Sequence, residues 1–118
     1  MNIKVNNING RNIAELHSQN IEINNLQDAL DLLGNASYLE AQQIIVNKSN
    51  ICPEFFDLKT GIAGDILQKF STYNMQLGII GNFSNITSKS LRDFIYESNK
   101  MGRIVFAETF NEVIKLFK

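Results

Sequence analysis

Apolar and polar positions alternate with a period of two at the start of the chain. Ile3 and Val5 are flanked by polar residues, and Ile13 and, less cleanly, Leu16 repeat the pattern. Residues 2–7 and 11–16 therefore read as two short strands. Asn9 and Gly10 lie between them, and a tight turn of the favoured hand needs positive φ at its centre, which these residues adopt at little cost. Ile21, Glu22 and Ile23 suggest a third, very short extended piece. From Asn24 or Asn25 the period lengthens. Leu26, Ala29, Leu30, Leu33 and Ala36 recur at helical spacing, Asn25 can cap the first turn, and Asp28 suits the positive end of the dipole. Gly34 weakens the middle of this helix or marks its early end.

Residues 43–47 contain Ile44, Ile45 and Val46 without alternation, as expected of a strand covered on both faces in the centre of a parallel sheet. Pro53 suits a first helical turn. Residues 54–73 are assigned to the second helix, in one piece or in two about Lys59, Thr60 and Gly61. Ile62, Ile66, Leu67 and Phe70 form its inward stripe, and Gly61 and Gly64 would let another backbone approach. Residues 75–80 read as a further buried strand, closed by Gly81 and Asn82. Thr87 or Ser88 caps a third helix with Leu91, Phe94, Ile95 and Ser98 on one side and an i, i+4 pair, Lys89 and Asp93, on another. Gly102 ends it in a left-handed conformation. Residues 103–107 are the last strand, and Thr109 with Glu112 forms a capping box for a fourth helix. The order β-β-(β)-α-β-α-β-α-β-α predicts an α/β protein with a single mixed, mainly parallel sheet and about four helices. It is one domain over residues 1–118.

Composition narrows the function classes. The chain has 118 residues, 44% apolar and 19% charged, enough to build one core and too hydrophobic for a disordered tail. Its 11 Lys plus Arg stand against 12 Asp plus Glu, so it lacks the basic excess that drives nucleic-acid binding, and no nucleic-acid partner is expected. One Cys excludes an internal disulfide, and one Cys with one His does not furnish a structural zinc site. No metal or cofactor is expected. No apolar run approaches the ~18–20 residues of a membrane span, and the first residues lack the basic start and apolar core of a signal peptide. A cytoplasmic location away from membranes is therefore expected.

Two segments carry the candidate chemistry, and both leave the carboxyl end of a strand and enter a helix, where open α/β sheets usually dock ligands and partners. The first presents Asp57, Lys59, Thr60 and Gly61. A hydroxyl near a helix N-terminus can carry a phosphate, because free amides and the dipole favour an anion; alternatively Asp57 and Thr60 only cap the helix. The second holds Thr87, Ser88, Lys89 and Arg92, which could receive an anion, although its spacing is not that of a phosphate loop. Thr87 and Ser88 also suit plain N-capping, and Arg92 suits a surface pair with Glu97. Of Phe55 and Phe56, at least one belongs in the core; Tyr73 and Tyr96 are open between core and surface. No catalytic residue is assigned. His17 and Cys52 lack a third orienting group, Glu54 and Asp57 are ordinary dipole partners, and the common nucleotide-, zinc- and hydrolase-type motifs are missing.

The blocks FFDLKTGIAGDILQKF, LGIIGNFS and TSKSLRDFIYESN resemble a family of short bacterial proteins known only as a domain of unknown function. More distantly, the element order and one motif are similar to the STAS domain, the sulphate-transporter and anti-sigma-factor-antagonist fold. In that family a central strand leads to an Asp-Ser-Ser/Thr-Gly turn whose hydroxyl residue a partner kinase phosphorylates. Asp57, Thr60 and Gly61 match the aspartate, the phosphorylated position and the glycine. One extra residue separates Asp57 from Thr60, and Lys59 adds a charge. The resemblance implies a STAS-like regulatory module without catalysis, binding a protein partner through residues 57–64 and switched at Thr60. The alternative is a small-molecule or nucleotide-binding protein, conceivably an enzyme, with its site across residues 57–61 and 81–92. A third reading is a homo-oligomeric structural protein, a homodimer for example, with its apolar patch supplied by Phe55, Phe56 or the last helix.

Overall fold

Asn9 at φ 54° and Gly10 at φ 81° close the predicted hairpin between β1 (Asn2–Ile8) and β2 (Arg11–His17). The computed structural model describes residues 2–118. After the hairpin come α1 (Leu26–Tyr38), β3 (Gln43–Asn47), α2 (Ile62–Thr72), β4 (Gln76–Ile80), α3 (Lys89–Met101), β5 (Ile104–Ala107) and α4 (Phe110–Leu116). The strands form one five-stranded sheet in the order β1-β2-β3-β4-β5, antiparallel only between β1 and β2. The short extended piece near residue 23 is a single parallel bridge from Ile23 to Ile51.

Each crossover steps to the adjacent strand in the same direction, so crossovers of one hand bring their helices to one face. Alternation along the strands then sorts the core. Ala14, Leu16, Ile44, Val46, Leu77, Ile79, Ile104 and Phe106 point toward α1, α2 and the inner side of α3. Ile13, Ile45 and Val105 point the other way and are covered by Val113 and Phe117 at the C-terminal end of the chain. α4 can lie this close because β4 has Gly78 beneath it; a Cβ there would stand 2.2 Å from Cγ1 of Val113.

The edges of the sheet differ. β5 has its outward polar groups taken by α3, where the Ser98 hydroxyl donates to the Ile104 carbonyl. The Asn99 side chain accepts from Phe106 N at 2.8 Å and donates to Phe106 O at 3.1 Å. Side chains of one helix thus stand in for a sixth strand. At the amino end of the sheet, Gln43 Nε2 donates to Gln76 Oε1 and Gln76 Nε2 donates to Gly102 O, both at 2.8 Å. Among the described residues no buried side-chain nitrogen or oxygen lacks a partner.

Three expectations need correction. Residues 54–60 are not helix; they form two 3-10 turns, Pro53–Phe56 and Leu58–Thr60, and α2 begins only after Gly61 at φ 78°. The left-handed glycine breaks the helical path that Pro53 and the acidic residues suggested. Gly34 does not mark an early end, because α1 runs on to Tyr38; it lies inside the helix, which it weakens by about 1 kcal/mol relative to Ala. Gly61 and Gly64 admit no close backbone either, because nothing lies within 4 Å of a Cβ built on them. No helix among the described residues is long and apolar enough to cross a membrane.

Candidate functional site

All four helices begin just beyond the carboxyl ends of strands, so their free N–H groups and positive dipole ends gather at that edge of the sheet. Between β3 and β4 this edge is cleft. Lys48, Pro53 and Phe56 from the β3–α2 connection, Ile80 at the end of β4, and Ile86 and Leu91 around the start of α3 line an open cavity of about 850 Å³. The remaining lining is neutral: asparagines, hydroxyl residues and one glycine. No carboxylate lines it, and Lys48 is its one charged residue.

The Lys48 stem is held by packing. A Cβ on Gly81 would lie 2.6 Å from the Lys48 Cβ, so glycine there lets the stem cross the end of β4. The Lys48 ammonium donates to the Asn82 carbonyl at 3.0 Å. It also sits 5.7 Å from the ring centre of Phe56 and 5.2 Å from that of Phe83, within the range of cation–π attraction. Those rings continue inward, Phe56 against Phe55 at 4.9 Å and Phe83 against Phe106 at 5.4 Å.

The 57–61 segment lies beside this cleft but does not line it. The Asp57 side chain accepts from Lys59 N at 3.2 Å, which caps the second 3-10 turn, and Lys59 is exposed. Thr60 is exposed at the rim. Its hydroxyl lies 2.7 Å from the Glu54 carbonyl and 2.9 Å from the Asp57 carbonyl, and accepts more weakly from Ile62 N at 3.4 Å. It therefore ties both 3-10 turns to the start of α2. Because Glu54 shares its turn with Phe56, this tie reaches the cleft wall.

In the second segment Ser88 caps α3, its hydroxyl accepting from Leu91 N at 3.2 Å, and Thr87 lines the cleft. Lys89 pairs with Asp93 at 2.8 Å, both exposed, a contact worth little in water. Arg92 does not pair with Glu97. Its guanidinium folds back onto the carbonyls of Ile86 and Thr87 at 3.2 and 3.5 Å. The cation that addresses the cleft is thus Lys48, which pattern reading passed over. Its only local signal is its position, immediately after an apolar strand.

Other candidates resolve simply. Phe55, Val113 and Phe117 are buried in the core, whereas Phe56, Ile114 and Leu116 stay partly exposed. Tyr73 and Tyr96 are exposed and Cys52 is buried. His17 has its nearest acidic group at Glu15, 3.9 Å away. No group of three or more metal-ligating side chains occurs among the described residues. A second cleft of about 700 Å³ at the opposite edge is lined by Arg11, Arg103 and Lys118. There α1, α2 and α3 end, and Arg103 donates to the carbonyl of Met75 at 3.0 Å. Cations at helix C-termini have a structural role of their own.

The family model described as Domain of unknown function (DUF4180) covers residues 8–116. No curated protein and no solved structure matches the chain.

Proposed function

The chain belongs to the DUF4180 family, whose description carries no activity, and from its own geometry we propose that it is a cytoplasmic regulatory module that binds a protein partner through residues 57–64. It has no catalysis of its own, is of the STAS kind, and is switched by phosphate on Thr60. The observation that carries this reading is the exposed Thr60 hydroxyl, which ties two 3-10 turns to the start of a helix. Phosphorylation removes the hydroxyl proton, so both contacts to carbonyl oxygens become repulsive. It also adds ~1.5–2 negative charges. The first-turn amides of α2 attract that charge, whereas Glu54 and Asp57 repel it. The segment must then rearrange while the sheet behind it keeps its packing. Gly61 and Gly64, both facing open space, leave the backbone at the start of α2 bare for a partner.

Substitution at Thr60 tests the switch. Thr60→Ala should cost roughly 1 kcal/mol, the net worth of a typical hydrogen bond, and leave a single cooperative melt. Thr60→Glu should fold as well, since the position is exposed. The two variants should capture different sets of partner proteins from native extract. If both capture the set that the wild type captures, Thr60 is not a switch.

A further inference from the structure

The cleft between β3 and β4 has a charge pattern that Thr60 does not explain. A folded protein has little reason to pin a lysine stem over a glycine and bring its ammonium to the mouth of an apolar cavity with no carboxylate in the lining. Here the stem is fixed by Gly81, and the ammonium uses one carbonyl and two ring faces. An ammonium has three donors, so two remain for an incoming group. No carboxylate lies within ion-pair distance of it among the described residues. Behind it, Phe56, Ile80, Ile86 and Leu91 offer an apolar surface, and the cavity falls within the ~300–1,000 Å³ typical of small-molecule sites.

The geometry points to a binding site for a small amphipathic monoanion: a carboxylate on a flat, aromatic body. The carboxylate takes the free donors of Lys48. The ring lies against Phe56 and Leu91, and Asn82 and Asn85 meet polar substituents. A dianion suits the cleft less well, because it holds one cation only. A neutral ligand would leave Lys48 unmatched, and a cationic one would meet repulsion. The site stands independently of the Thr60 switch, although Phe56 belongs to the turn that Thr60 ties down.

The test uses 2-naphthoate and its neutral isostere naphthalene-2-carboxamide as probes, followed by the amide signals of the full chain in solution NMR. 2-Naphthoate should move the signals of Gly81, Asn82, Ile86 and Ser88. Lys48→Met keeps the stem and removes the charge. It should weaken 2-naphthoate roughly tenfold, as loss of a hydrogen bond to a charged group does, and leave the carboxamide unchanged. Should Lys48→Met melt early, Lys48→Gln, which retains a donor for the Asn82 carbonyl, replaces it. Equal affinities for the two probes overturn the inference. So do shifts confined to another face, or no shift with 2-naphthoate up to its solubility limit. The naphthoate experiment reads Lys48 and the capture experiment reads Thr60, so failure here leaves the phosphorylation reading to its own test.

Discussion

Phe106→Ala is expected to destabilise the chain by about 3–5 kcal/mol, the range for truncating a buried Phe, which is roughly a fifth or more of the ~5–15 kcal/mol that holds a typical domain together. Phe106 is 3% exposed and lies where three parts of the fold meet. Its ring centre is 6.4 Å from Phe55 in the β3–α2 connection, 5.4 Å from Phe83 in the β4–α3 loop and 6.2 Å from Phe94 on α3. Alanine leaves a cavity that these rings fill only by moving, and Phe56 and Phe83, which carry the Lys48 ammonium, would move with them. The melting temperature should fall by more than about 10 °C, at several degrees per kcal/mol for a chain of this length. Phe106→Leu should recover most of the loss. A drop of only a degree or two would mean that the aromatic cluster is not packed as described.

Gly78→Val is the second large effect. The first added carbon already meets Val113 at 2.2 Å and Phe117 at 3.0 Å, and neither side chain can move outward without lifting α4 off the sheet. The expected cost is at or above the top of the ~1–3 kcal/mol of ordinary overpacking, because relief requires displacing a whole element. Displacing α4 would uncover Ile13, Ile45 and Val105. Unfolding in denaturant should show a lower midpoint and enhanced binding of a hydrophobic dye before the main transition. Gly64→Val serves as the control, since its added Cβ enters open space and Val has a slightly better helix propensity than Gly, so it should be neutral or stabilise by roughly a few tenths of a kcal/mol. Equal effects at the two glycines would contradict the placement of α4.

What could be read from the chain depended on how local the cause was. Asn9 with Gly10, Asn25 with Asp28, and Thr109 with Glu112 each act over a few residues, and the structure has the turn and caps where these pairs predict them; of Thr87 and Ser88, Ser88 is the cap. The apolar run of β3 declared a strand buried on both faces for the same reason. The helical assignment of residues 54–60 failed because proline and acids near a helix start are compatible with two tight turns as well. Two breaks decided it: Asp57 is extended between the turns, and Gly61 is left-handed before α2. Gly64 and Gly78 look alike in sequence, but one faces solvent and the other lies under α4, which is built from residues far along the chain. The same distance hid Lys48, whose role is set by Gly81 and Phe83. Family membership was visible in long blocks of sequence, while the proposed partner surface was visible only as hydroxyls and glycines at a strand end.

Phosphate mapping of the chain isolated from its own cells, in separate pools with and without bound protein, addresses the switch most directly. The account predicts phosphate on Thr60 concentrated in one pool and depleted in the other. Thr60 unmodified in both pools, or modified equally in both, would contradict it.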